Sequence, residues 1–169
     1  MQFELKDIVR AYIAGLTDGE GCIHIQKRYD SRPGREKYYY AVHVIYAMTN
    51  KEPLSFVQTH YGGTLDTKPP TPSNKTVFRL TLCGYNALQL LEEIEPFLLV
   101  KYRLAKAAIA LQKHINSNQS GIRYNDGTVL ADREVLYQAY RAAAETERAG
   151  VPVEERSDSP TLNDGKVEI

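Results

Sequence analysis

Along the first twenty residues the apolar positions recur at spacings of three and four. Leu5, Ile8, Val9, Tyr12, Ile13 and Leu16 build one stripe, the period of an amphipathic helix. Asp7 falls in its first turn, where a carboxylate complements the helix dipole. Gly19-Glu20-Gly21 places glycines where a helix end calls for them. The period then changes to two. Residues 22–29 set Ile23 and Ile25 against Cys22, His24, Gln26 and Arg28, and residues 37–48 set Tyr40, Val42, Val44, Tyr46 and Met48 against Tyr39, Ala41, His43, Ile45 and Ala47. The polar link Asp30–Glu36 between them reads as a hairpin connection.

A short helix is expected from about Thr49-Asn50, either of which could cap it, to the Gly62-Gly63 stop. A second hairpin follows, Thr64–Lys68 and Thr76–Cys83, in which Phe78, Leu80 and Leu82 alternate with Val77, Arg79 and Thr81. Helices are expected over Tyr85–Leu98, about Lys101–Asn116 and about Ala131–Ala149, the last two separated by a polar link, Ser117–Gly127. The fold class is therefore α+β, helix-strand-strand-helix-strand-strand-helix, with further helices after it. We expect one domain over residues 1–148, with a core at about 3–115 and a helical extension at 116–148. Residues 149–169 form an acidic tail that should be mobile.

Composition narrows the function classes. The 169 residues carry 21 Lys+Arg and 21 Asp+Glu, and 43% are hydrophobic, as in a soluble globular chain. No apolar run approaches a membrane span, and MQFELKDIVR is too charged for a signal peptide. With only Cys22 and Cys83, and no zinc-type spacing, a disulfide framework is not expected and a reducing, intracellular location is. No small-molecule cofactor loop is evident. His60 and His114 have no ligand-spaced partners and read as helix-surface or semi-buried residues.

The sharpest local feature is the run Ile13 to Gly21, IAGLTDGEG. Ala11, Gly15 and Gly19 recur every four residues, which strips one helical face of side chains. That costs helix propensity and is useful mainly where another backbone approaches closely. Asp18 and Glu20 also place two carboxylates at the helix C-terminus, where the dipole disfavours them and a cation would relieve them. A carboxylate beside the Gly19 carbonyl is a hard-oxygen donor set suited to Mg2+.

This run resembles the motif of the LAGLIDADG homing endonucleases, whose spacing G-L-x-D-x-x-G is met by Gly15, Leu16, Asp18 and Gly21. The element order matches the family's αββαββα core over about residues 3–115. The stretch Glu95–Lys101 also looks like the family segment that brings a basic residue to the active site. The resemblance implies an antiparallel sheet forming a DNA-binding saddle, and a motif helix whose Ala11, Gly15, Asp18 and Gly19 lie at a dimer seam. It implies Glu20 as catalytic metal ligand with the Gly19 carbonyl, Lys101 as active-site cation and Asn50 as a polar water-organising residue, while Asp18 caps or bridges. Mg2+ is the implied metal, with Mn2+ or Ca2+ able to substitute for binding. One motif per chain implies a homodimer on a near-palindromic site, cutting both strands of duplex DNA to leave 3′ overhangs in intron homing.

Alternating strands also have one polar face when they simply meet solvent. Alongside the resemblance, the polar faces become candidate DNA contacts: His24, Gln26 and Arg28 on one, Asp66 and Lys68 on a second, Arg79 and Thr81 on a third. To these are added His43, Tyr39 and the hairpin cations Arg32, Arg35 and Lys37. Neutrality does not argue against this. Residues 22–79 hold nine Lys/Arg against four Asp/Glu, whereas residues 149–169 hold two against five. Such a partition predicts binding that weakens with salt. Two other readings stand beside the nuclease: a non-cleaving nucleic-acid binder on the same scaffold, such as an RNA maturase or DNA-binding regulator, and a dimer module without a nucleic-acid role.

Overall fold

The computed structural model describes residues 5–33, 37–72, 75–118 and 127–149. Helix α1 (Leu5–Glu20) runs directly into β1 (Gly21–Asp30), followed by β2 (Lys37–Met48), α2 (Glu52–Tyr61), β3 (Thr64–Lys68), β4 (Val77–Cys83), α3 (Gly84–Ile94), a 3-10 turn (Glu95–Phe97), α4 (Tyr102–Ser117) and α5 (Gly127–Arg148). The fold is α+β. All neighbours in the four-stranded sheet are antiparallel, in the order β1-β2-β4-β3.

Period-two alternation decides which face of the sheet the helices cover. Ile23, Ile25, Val42, Val44, Tyr46, Leu80 and Leu82 are buried on one face. Against them pack Ile13 and Ala14 of α1, Leu54 and Val57 of α2, Leu90, Leu91 and Ile94 of α3, and Leu104, Ala108 and Leu111 of α4. Helix α5 packs on α4 and reaches the edge strand, where the Tyr140 hydroxyl donates to the Ile23 carbonyl at 3.0 Å. Lys27 of β1 donates to Glu134 of α5 at 2.6 Å, and the Tyr40 hydroxyl donates to the same carboxylate. No helix among the described residues is long and apolar enough to cross a membrane.

Several local expectations need correction. Gly19 and Gly21 do not terminate α1 through a left-handed backbone; positive φ among the described residues occurs at Gly62, Gly63 and Gly84. Gly19 lies within the helix. Gly21 is required by proximity instead, since a Cβ there would meet the Thr17 backbone at 2.8 Å. Helix α2 begins at Glu52 rather than at residues 49–50, which puts Pro53 in the first turn, where its missing N–H leaves no helical bond unmade. Asn50 still accepts from the Glu52 amide at 3.0 Å. Helix α3 ends at Ile94, not Leu98, because Pro96 cannot continue the ladder. Helix α5 starts at Gly127, four residues earlier than expected, with Val129 and Leu130 already half-buried. Most of the 117–127 link and the acidic tail lie outside the described residues.

Candidate nucleic-acid interface and carboxylate site

The three polar faces expected of the strands are one face. Register pairs His24 with His43 and His43 with Cys83, Gln26 with Ala41, and Arg28 with Tyr39. On the other side of the sheet Arg79 pairs with Ala47 and Asp66, and Thr81 with Ile45 and Thr64. The side of the sheet opposite the helices therefore carries His24, Gln26, Arg28, Tyr39, His43, Thr81, Arg79, Asp66 and Lys68 as a continuous surface. Lys37 opens β2 on the same side, with its ammonium 5.1 Å from the Tyr39 ring centre.

Charge pairing separates the two faces. Lys27, on the helix side, is neutralised by Glu134, whose carboxyl is lowered to about 2 by its bonds from Lys27 and Tyr40. Among the described residues Arg28, Lys68 and Arg79 on the open side have no ion-pair partner. Arg32 differs from them. It grips Asp30 within the same turn, Nε to Oδ1 at 2.8 Å and Nη2 to Oδ2 at 2.5 Å. Arg35 lies outside the described residues. His43 titrates below the usual histidine value, first because of burial and then because His24 stands opposite.

At the end of α1 the two carboxylates have different surroundings. Asp18 accepts from the amides of Leu99 at 2.7 Å, Val100 at 3.2 Å and Lys101 at 2.9 Å. The Lys101 ammonium returns the contact, donating to the carbonyls of Thr17 at 3.0 Å and Asp18 at 2.7 Å. The cation that the helix dipole calls for at this terminus is thus supplied by Lys101, whose ammonium has three donors and commits two of them here. The sequence pointed to a capping or bridging Asp18 but not to this reciprocal clamp with the segment around Lys101, because its only local signal was a carboxylate at a helix C-terminus.

Glu20 has no such compensation. It is exposed, and among the described residues it has no hydrogen-bond or ion-pair partner. The chain passes directly from it through Gly21 to Cys22, the first residue of the open face, so this carboxylate heads the β1 row of polar side chains. No three His, Cys, Asp or Glu side chains among the described residues are gathered to hold a metal. Glu20 and the Gly19 carbonyl therefore suit Mg2+ only as part of a larger donor set. That ion commonly takes one or two carboxylates and fills its shell with water and phosphate oxygens. Asn50 lies exposed before α2, with its Oδ1 engaged by Glu52.

The remaining seam residues share one side of α1. Ala11, Gly15 and Gly19 are exposed, and a Cβ at either glycine would touch nothing within 4 Å. The apolar stripe read from the sequence divides. Ile13 is buried while Leu5, Ile8 and Tyr12 are 79%, 57% and 49% exposed. Phe56 of α2 continues this outer surface, edge-on to Tyr12 at 5.6 Å.

No protein-family model matches the chain, and no curated protein matches it in sequence. Solved structures match it in fold. The homing endonuclease I-CvuI, in complex with its target, gives a TM-score of 0.65 at 20% identity over 85% of this chain and 92% of that one. The archaeal intron-encoded homing endonuclease I-Vdi141I, complexed with DNA, gives 0.64 at 15% over 90% and 89%. The LAGLIDADG homing endonuclease I-GzeII, in complex with its DNA target, gives 0.63 at 12% over 89% of this chain but 54% of that one. With its helices on one side of an antiparallel sheet and its motif helix feeding the edge strand, the chain has the fold of the LAGLIDADG homing endonucleases.

Proposed function

We propose that the protein is a site-specific, divalent-metal-dependent DNA endonuclease that works as a homodimer. The observation that carries this reading is the uncompensated Glu20 carboxylate at the head of an open, basic sheet face, beside an Asp18 fully occupied by the fold. Duplex DNA on that face would be met by unpaired Arg28, Lys68 and Arg79 at phosphates and by His24, Gln26, His43 and Thr81 at base edges. Each chain would contribute Glu20 and the Gly19 carbonyl to Mg2+ held jointly with phosphate oxygens and water. Bound there, the metal supplies charge stabilisation to the phosphate and an activated water. Lys101 sets the position of the α1 terminus and keeps one donor for phosphate, and Asn50 would help order water.

Two features support the dimer. The Gly-lined outer side of α1 is open, with Leu5, Ile8 and Tyr12 exposed along it, and an exposed apolar patch of that kind marks an interface. The chain also spans nearly all of I-CvuI but about half of I-GzeII, as a half-unit would. A symmetric pair favours a near-palindromic site, and both strands would be cut to leave 3′ overhangs, in the service of intron homing.

The test is selection of cleaved sites from a random duplex library with Mg2+, using the wild type and Glu20→Gln. Cutting by the wild type alone is expected. Cutting that survives the substitution would remove Glu20 from the mechanism. Sequence-selective binding by both proteins, with cutting by neither, would favour a maturase or regulator on the same scaffold.

A further inference from the structure

The centre of the open sheet face holds a pair of side chains with different ligand chemistry from the Glu20 site. His24 and His43 are direct cross-strand partners on β1 and β2, with ring centres 6.4 Å apart and planes 31° from parallel. Directly opposed residues on one face of antiparallel strands are held at fixed separation by the ladder itself, so this proximity is set by the backbone register. A zinc–imidazole bond is about 2.0–2.1 Å, which puts each ring centre roughly 3.2 Å from a bound ion. At a tetrahedral angle two such spans put the ring centres about 5.2 Å apart, so χ rotations that bring the rings closer than the observed 6.4 Å by about an ångström would seat the ion.

We propose that His24 and His43 form a two-imidazole site for a borderline-soft divalent cation of the zinc class, completed by water. Imidazole ligands select zinc, copper or nickel over magnesium, so the ion differs in kind from the one suited to Glu20. Neither histidine is committed to another hydrogen-bond partner among the described residues. Cys83 follows His43 in the same cross-strand row and is a free, exposed thiol, but it is not gathered with the pair into a three-ligand cluster. An ion seated here would add positive charge to the middle of the open face, whatever else that face binds.

The experiment is a calorimetric titration of the free full-length protein with zinc alone, in excess Mg2+ so that hard-oxygen sites are filled beforehand. Circular dichroism of each variant confirms folding. Saturable binding of one zinc per chain is expected in the wild type. His24→Gln and His43→Gln should each weaken it by about tenfold or more, since even loss of an outer-shell partner costs that much. Cys83→Ser should leave it unchanged. No saturable binding, binding that survives both histidine substitutions, or binding that depends as strongly on Cys83 would each overturn the site.

Discussion

Two glycines of one short motif should respond to alanine with opposite signs. Gly21→Ala places a methyl 2.8 Å from both the Thr17 Cα and its carbonyl oxygen. Those are backbone atoms of α1, anchored by buried Ile13, Ala14 and Thr17, so no flexible side chain can yield. Overpacking of this kind costs about 1–3 kcal/mol. For a chain of this size, about 2 kcal/mol lowers Tm by about 4–8 °C. Gly15→Ala meets nothing within 4 Å and lies inside a helix, where alanine is favoured by about 1 kcal/mol. In the dissociated chain it should therefore raise stability, while its methyl projects from the seam and weakens self-association. Urea unfolding at several protein concentrations separates the two effects, and sedimentation reads the dimer. An unchanged Tm for Gly21→Ala would refute the close-approach argument. Undiminished association of Gly15→Ala would refute the proposed seam.

Asp18→Ala should cost about 1–3 kcal/mol, because its charge-assisted bonds disappear, and hydrogen exchange should accelerate at the amides of Leu99, Val100 and Lys101. Thr17→Val leaves the buried Tyr46 hydroxyl without its 2.7 Å partner and should destabilise by about 1–3 kcal/mol. Tyr46→Phe should cost less, because Thr17 keeps its bond to the Ile13 carbonyl; calorimetry ranks the pair. The Glu134 carboxyl is about 2 in the folded chain against an ordinary 4.5, so its stabilising effect is complete above the ordinary value and disappears as pH falls towards 2. Proteolysis within α5 should rise over that window, and Glu134→Gln should remove the pH dependence. If the open face binds duplex DNA, alanine at Arg28, Lys68 or Arg79 should each flatten the salt dependence of log K by about 0.9 for every phosphate no longer neutralised. Unchanged slopes in all three would argue against that face.

The elements were legible because their signals are local. Alternation in residues 37–48 put Val42, Val44 and Tyr46 on one side of the strand, and the structure buries all three. What stayed hidden depends on which distant segments meet. Arg28, Arg79 and Lys68 could not be seen as one surface until the order β1-β2-β4-β3 placed β4 beside β2, a pairing that hydrophobic period does not encode. Asp18 and Lys101 are 83 residues apart, so their clamp left only an oddity at a helix terminus. Gly21 was misassigned for a related reason. A glycine demanded by positive φ and one demanded by a neighbour's backbone look identical in sequence.

The two margins of the sheet constrain how copies can meet. Along the β1 edge, the Tyr140 hydroxyl of α5 already occupies the Ile23 carbonyl. The opposite margin, β3, is five residues long and carries Asp66 and Lys68, and Pro69-Pro70 follows it directly. Short, charged, proline-bounded edges resist strand-to-strand addition. Edge-wise growth into fibrous or runaway assemblies is discouraged at both margins, so the proposed homodimer would form through the exposed apolar side of α1, an arrangement that closes on itself after two copies.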